Sequence, residues 1–274
     1  MGHNSKTEFF VRAIYGLILI FLISKSYLYF IFIALHELGH LICGVILGYK
    51  IKKLSLLPFG FSLCFKEVFI KPRDNIIISL FGPLTNLIFF VLFYIISFIS
   101  SSNIIVGLMN INIVLFVFNI IPVGFLDGGR ILKEVLSMFI SFYLANLIIN
   151  LNGIIFGCII LMLPIYMGWA INSIILILIS LSLIANSILQ IKWIKMSIIQ
   201  EALYKKFNKN FLNNKEKVKF YSEDTKIFDI MKNFSFNINY VIGIDKNKEN
   251  TISDKEIIKF YFTKGNITLR ECFD

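Results

Sequence analysis

Charge is what this chain has least of. Of its 274 residues only 16% are Asp, Glu, Lys or Arg, and 57% are apolar, whereas roughly a quarter of an average soluble domain is charged. An ordinary soluble enzyme is excluded on that ground. Acidic residues are scarcest in the first 196 positions, which hold six of them, Glu8, Glu37, Glu67, Asp74, Asp127 and Glu134, beside 13 Lys and Arg. The last 78 positions hold 11 acidic and 14 basic residues. This contrast implies a polytopic membrane region over 1–196, a linker over 197–216 and a small soluble domain over 217–274. The net charge of +10 comes mostly from the membrane part, so basic loops beside spans account for it and nucleic acid is not an expected partner. Cys43, Cys64, Cys158 and Cys272 form no Cys-x-x-Cys pair. They read as small buried hydrophobes, neither a zinc knuckle nor a disulfide framework. No small-residue cleavage pattern follows the first apolar stretch, which is therefore expected to stay as a span.

What the sequence does have is long apolar runs. Crossing about 30 Å of hydrocarbon takes about 20 helical residues. Six stretches approach this: Phe9–Ile23, Tyr27–Gly48, Ile76–Ile99, Asn103–Ile121, Ile148–Leu163 and Trp169–Ile191. The stretch Ile131–Ile149 mixes apolar and polar positions and reads either as an interfacial helix or as the lower half of the fifth span. Basic residues cluster after the second, fourth and sixth stretches, from Lys50 to Arg73, at Arg130 and Lys133, and at Lys192 and Lys195. The expected orientation puts both termini and these loops in the cytoplasm. Between the second and third stretches, Leu56–Leu63 is a pair of short apolar runs around Pro58 and Gly60. From the pattern alone it is a hairpin entering the cytoplasmic face or a plain surface loop.

Histidine is also rare, with three in the chain, and two of them form His36-Glu37-Leu38-Gly39-His40. On a helix, positions i and i+4 share a face one turn apart, so both imidazoles reach one Zn²⁺ while Glu37 projects beside them. The H-E-x-x-H pattern is that of zinc peptidases, with the glutamate as general base. Glu37 is the one acidic residue in its span. A carboxyl at membrane depth costs on the order of 3 kcal/mol even on the mildest insertion scale, and so demands a partner. Catalytic zinc usually takes a third protein ligand. Cys43 follows His40 by three residues and projects from a neighbouring face. Asp127 stands where proline and glycine break the fourth stretch, in Asn119-Ile120-Ile121-Pro122-Val123-Gly124-Phe125-Leu126-Asp127-Gly128-Gly129-Arg130. The second and fourth spans run the same way, so all three groups meet at one depth. The competing reading of Asp127 is a helix cap for the residues that follow.

With His36-Glu37-x-x-His40, Gly82-Pro83-x-x-Asn86 and Asn119-x-x-Pro122-x-x-x-Leu126-Asp127-Gly128-Gly129 in this order, residues 1–196 resemble the site-2 protease family of intramembrane metalloproteases. The layout with a C-terminal soluble domain is similar to the sporulation branch, the stage IV sporulation protein FB type. The resemblance implies a mainly α, six-span membrane protein with a membrane-embedded β-hairpin in Tyr49–Asn75. It implies one Zn²⁺ held by His36, His40 and Asp127, Glu37 as catalytic base, and Asn119 and Pro122 positioning an extended substrate strand. It also implies a substrate cut near the cytoplasmic side, a membrane-associated sigma-factor precursor, restrained by inhibitory membrane partners, in a bacterial cell membrane and during sporulation the outer forespore membrane. The rival function is zinc transport or metal binding without peptidase activity; the outer halves of the spans carry almost none of the acidic or histidine positions such a path requires.

In the charge-rich tail, Ile198–Phe207 is expected as a linker helix, Asn208–Glu216 as a polar linker, Thr225–Phe234 and Ser253–Phe262 as helices, Asn239–Ile244 as a strand and Lys246–Asn250 as a turn. This order resembles one cystathionine-β-synthase (CBS) repeat, a small α/β module that binds adenine nucleotides in pairs. One repeat per chain implies that ATP binding would take a homo-oligomer. Thr251-Ile252-Ser253-Asp254 fits either a ribose contact of such modules or a helix N-cap.

Overall fold

The computed structural model describes residues 28–57, 60–65, 70–100, 102–124, 126–167, 171–207, 216–235, 238–244 and 251–273. The first expected span, Phe9–Ile23, lies outside them, as do the expected turn Lys246–Asn250 and most of the polar linker. The described residues form two compact units. One runs up to Glu134 and includes Ile149–Gln190; the other joins Val135–Ile148 to the residues from Ile191 onward. The expected boundary at 196/197 therefore falls inside the second unit.

Among the described residues up to Phe207 the elements are α1 (Leu28–Ile46), strands β1 (Ile51–Leu57) and β2 (Gly60–Phe65), α2 (Pro72–Ser97), α3 (Asn103–Ile120), α4 (Asp127–Ser137), α5 (Phe142–Met167) and α6 (Ile171–Phe207). Among the described residues, five helices are long and apolar enough to cross a membrane: Leu28–Ile46, Pro72–Ser97, Asn103–Ile120, Phe142–Ile165 and Leu176–Ile199. They correspond to the second to sixth expected spans. Large apolar side chains such as Ile46, Ile88, Phe98 and Ile155 stand exposed on them, an arrangement tolerable only where the surroundings are lipid.

Chain breaks follow local chemistry. Pro72 occupies the first turn of α2, where its missing N–H is no loss, and the Ser102 side chain caps α3 by accepting from the Ile104 N–H. The hairpin expected in Tyr49–Asn75 is present: β1 and β2 pair antiparallel from Ile51↔Phe65 to Leu57↔Gly60, with a register shift between Ile51 and Lys53, and β2 runs against α1. The stretch Ile131–Ile149 is divided: from Phe142 on it forms the lower part of the fifth span, one of the two expected forms, while its earlier residues close α4. α4 stops at Ser137 and α5 starts at Phe142, with a turn between them in which the Phe139 and Ile140 N–H groups both donate to the Leu136 carbonyl. The fifth span is consequently longer than Ile148–Leu163.

In the second unit, the strands β3 (Glu216–Tyr221), β4 (Asn239–Ile244) and β5 (Thr251–Ser253) form one sheet in the order β3-β4-β5, β3 parallel and β5 antiparallel to β4. The short helix α7 (Ile227–Met231) joins β3 to β4, and α8 (Asp254–Lys264) follows β5. The core of this unit is mainly apolar, with Ile227, Ile230, Ile242, Ile257, Ile258 and Leu269 almost fully buried. Ile194, Ile198 and Ala202 of α6 lie in the same core. The residues expected to begin a linker thus form a packed helix.

Candidate metal centre

The zinc helix is positioned by α2. Gly82 faces both histidine rings, and a Cβ there would collide with His40 Nε2 and Cε1 and press on His36 Nε2. No other residue type lets the α2 backbone come so close. The His40 Nδ1–H donates to the Ile78 carbonyl of α2 at 2.7 Å, and His36 Nδ1 lies 3.0 Å from Asn86 Nδ2. Both outer ring nitrogens are therefore held from one helix, and both Nε2 atoms turn inward.

The third group arrives from α4. Val123 and Leu126, buried at 0% and 6% exposure, insert among Phe118, Phe156, Ile160, Ile179 and Leu183. They anchor the loop between α3 and α4 so that Asp127, the first residue of α4, points at the histidines. Gly128 follows with its Cα against the Ile120 carbonyl, leaving no room for a side chain. Asp127 is buried, and its Oδ2 stands 3.0 Å from His36 Nε2 and 3.2 Å from His40 Nε2, while the two Nε2 atoms are 3.2 Å apart. Its Oδ1 lies 3.6 Å from Arg130. Burial pushes this carboxyl up, but the hydrogen bonds from His36 and His40 and the charges of His40 and Arg130 outweigh it and hold the group below the ordinary carboxylate range. Asp127 is an anion at neutral pH.

Three ligand atoms this close fit a metal ion. Nitrogen and oxygen atoms 2.0–2.1 Å from a tetrahedral zinc stand about 3.3 Å from one another, close to the three distances here. Among the described residues, His36, His40 and Asp127 are a set of metal-ligating side chains whose donor atoms converge within 4.8 Å. Cys43 is buried on the same helix but is outside that set, and the Asp127 carboxylate faces the two histidine rings. Glu37, half-buried, interacts electrostatically with His36, His40, Asp127 and Arg130. The two expected substrate-positioning residues lie just before Asp127: Asn119 in the last turn of α3, its Nδ2 donating to the Leu115 carbonyl at 2.9 Å, and Pro122, half-buried in the loop that follows.

Asn86 stands in the Gly82-Pro83-x-x-Asn86 motif, but its partner His36, the Ile78 carbonyl bond and the Arg130 contact emerge only in the fold. A polar Asn within an apolar span was the available signal, since a buried amide must find hydrogen bonds. In the second unit, Ser253 caps α8: it accepts from the Glu256 N–H, and the Glu256 carboxylate accepts back from the Ser253 N–H. Asp254 is buried and accepts from the Tyr240 N–H at 3.3 Å. Both side chains are used by the fold.

No family model matches this chain. A zinc metalloprotease of Methanocaldococcus jannaschii is 35% identical over 116 residues, 40% of this chain and 33% of that protein. A Synechocystis protein whose name assigns it provisionally to the zinc metalloproteases is 30% identical over 113 residues, 39% of this chain and 30% of that protein. The chain thus spans about a third of the length of these curated relatives. In three dimensions it is similar to the site-2 protease from Methanocaldococcus jannaschii, with a TM-score of 0.52 and 28% identity over 65% of this chain and 88% of that one.

Proposed function

We propose that this chain is a zinc-dependent intramembrane endopeptidase of the site-2 protease type. The observation that carries the reading is the convergence of His36, His40 and Asp127, with donor atoms 3.0–3.2 Å apart, beside Glu37 in a helix apolar enough to span a bilayer. The likeness to zinc metalloproteases and to a site-2 protease supports it.

Zinc held by these three groups supplies an acidified water and a Lewis acid for the scissile carbonyl. The chain's own residues do the rest. Glu37 takes the proton of the attacking water and delivers it to the leaving amine, the two-way transfer expected of a general base that becomes a general acid. Asp127 and the two imidazoles keep their lone pairs directed at one point. Substrate would lie extended along the β1–β2 hairpin, adding a strand to its edge, with Asn119 and Pro122 lining its path. The basic residues after α1 and α3, and Lys192 and Lys195 in the C-terminal half of α6, favour a cytoplasmic placement of the metal end and of the C-terminal domain.

For the substrate, we infer a membrane-associated sigma-factor precursor cut near the cytoplasmic side, in the outer forespore membrane and under restraint by inhibitory membrane partners; what supports this is the resemblance of the motif order and C-terminal domain to the sporulation branch. The β-α-β-β-α order of β3 to α8 supports a CBS-like repeat, paired between two chains. ATP at that repeat would require Asp254 to leave its bond to the Tyr240 N–H, and an ATP titration of the full chain tests it.

The deciding experiment reconstitutes the full chain and Glu37→Gln with candidate precursors. Wild type should cleave and the variant should not, while both hold one zinc. Cleavage by the variant would overturn the assignment of Glu37, and zinc flux across vesicles without any cleavage would replace the peptidase by a transporter.

A further inference from the structure

We propose that Glu134, seven residues beyond the third ligand, is a positioning residue of the metal centre: its bond to Asn75 fixes the helix that aims Asp127 at the two histidines. The inference rests on the metal centre proposed above and concerns how α2 comes to hold all three ligands. Six acidic residues stand in the first 196 positions, and Glu134, at 7% exposure, is a buried one that the proposed chemistry leaves unused.

Seven residues are almost two full turns, so Asp127 and Glu134 share a face of α4 within about 20° and stand about 10 Å apart along it. Gly128 and Gly129 seat the first turn against the backbone of residues 120–124. Further along, Ile131, Leu132, Val135 and Leu136 are only half-buried, and apolar contact has no preferred direction. A directional anchor two turns from the start is supplied by Glu134. Its Oε1 accepts from Asn75 Nδ2 at 2.8 Å and lies 3.4 Å from Lys133 Nζ. A carboxylate oxygen facing an ammonium only accepts, so the chemistry of the pair decides which end of its amide Asn75 presents.

Asn75 belongs to a stripe. With Ile78, Gly82 and Asn86 it stands at i, i+3, i+7 and i+11 of α2, the spacing of one helical face. From that face the Ile78 carbonyl accepts from His40 Nδ1–H, Gly82 admits both rings, and Asn86 meets His36 Nδ1. Asn75 adds the third ligand at one remove, through Glu134 and α4. One helix thereby sets the position of donor groups that come from two others. The neighbouring bond, from the Tyr49 hydroxyl to Asp74 Oδ2 at 2.7 Å, ties the start of α2 to the residues after α1 instead, and serves as the control.

The test uses the full chain in detergent. Co²⁺ in place of zinc has visible bands that report the geometry of the donor set, and chelator competition gives the zinc affinity. Glu134→Ala and Asn75→Ala should each shift the Co²⁺ bands and lower zinc affinity about 10-fold, the low end of what outer partners of metal ligands contribute. The double variant should be no worse than either single one, since all three lose the same contact. Glu134→Gln keeps an oxygen for Asn75 and should restore the wild-type bands, and Tyr49→Phe should leave them unmoved. If Glu134→Ala does not fold, Asn75→Ala, at a half-buried position in the first turn of α2, decides together with Glu134→Gln. Wild-type bands and affinity in Asn75→Ala, shifted bands in Glu134→Gln, or an equal shift in Tyr49→Phe overturns the role of Glu134 and leaves the metal centre standing. A wild-type chain that takes up neither Co²⁺ nor Zn²⁺ overturns the metal centre itself, and this inference with it.

Discussion

The two units bury polar groups for opposite reasons. In the first, His36, His40, Asn86 and Asp127 are all at or below 6% exposure and face one another, while apolar side chains of the same helices stand outside. In the second, the core is aliphatic and aromatic, and its buried polar groups serve the local fold: the Asp254 carboxylate at the start of α8 accepts from the Tyr240 N–H of β4, and the Ser235 and Tyr240 hydroxyls bond each other at 2.8 Å. Where lipid surrounds the helices, apolar residues gain little from facing inward, so the interior is free to hold chemistry. Where water surrounds the domain, the interior must be apolar to fold at all. Asp127 in the first unit therefore points to function, and Asp254 in the second to architecture.

That difference is open to breakage from both sides. Replacing Asp127 by Ala should have the largest effect, loss of stoichiometric zinc and of any cleavage, read by metal analysis of the purified protein; unchanged zinc content would return Asp127 to the role of a cap. In the second unit, Ile257→Ala should destabilise by about 2–5 kcal/mol, the range for emptying a fully buried isoleucine site, and shift the denaturation of the C-terminal domain while zinc content stays at wild-type level. A fall in zinc there would show that the two interiors are not independent. Gly82→Ala is expected to weaken zinc binding about 10–100-fold, since its Cβ would displace the ring of His40 as effectively as loss of an outer partner, and chelator competition would register it. The smallest change is Ser253→Ala, about 1 kcal/mol from the lost cap, with no effect on metal. The Glu256 half of that cap has a pH signature. Hydrogen bonds from the Ser253 N–H and hydroxyl hold its carboxyl below the usual value, so its contribution is present above the unfolded carboxylate range, about pH 4.3, and fades as pH falls through the lower folded value. Thermal melts of wild type and Ser253→Ala should converge on acidification.

Much of this could be read from residue order. The spacing of His36 and His40 places both rings on one helical face with Glu37 beside them whatever the tertiary structure, and Asp127 stood out because acids are so rare before it. Asn239–Ile244 was legible as a strand because its apolar residues suffice without context. Asn86 was not, because its partner lies 50 residues away and an amide's orientation leaves no trace in sequence. The end of α4 at Ser137 was equally hidden: Ile131–Ile149 has helical composition on both sides of the turn and no proline or glycine to mark it. Within the expected soluble domain Lys217–Tyr221 is assigned no element from sequence, although Lys217 and Lys219 alternate with Val218 and Phe220. As an edge strand it leaves both faces partly exposed, so the usual contrast between inside and outside is weak.

The distance along the chain from His40 to Asp127, 87 residues, has a consequence for biogenesis. Everything that lies between, the hairpin, α2 and α3, must be synthesised before the third ligand exists. At about 5–20 residues per second, that is roughly 4–17 s of translation during which the nascent chain displays a histidine pair and a glutamate but an incomplete donor set. A complete donor set therefore exists only once the start of α4 has been made, with α5, α6 and the C-terminal domain still to follow.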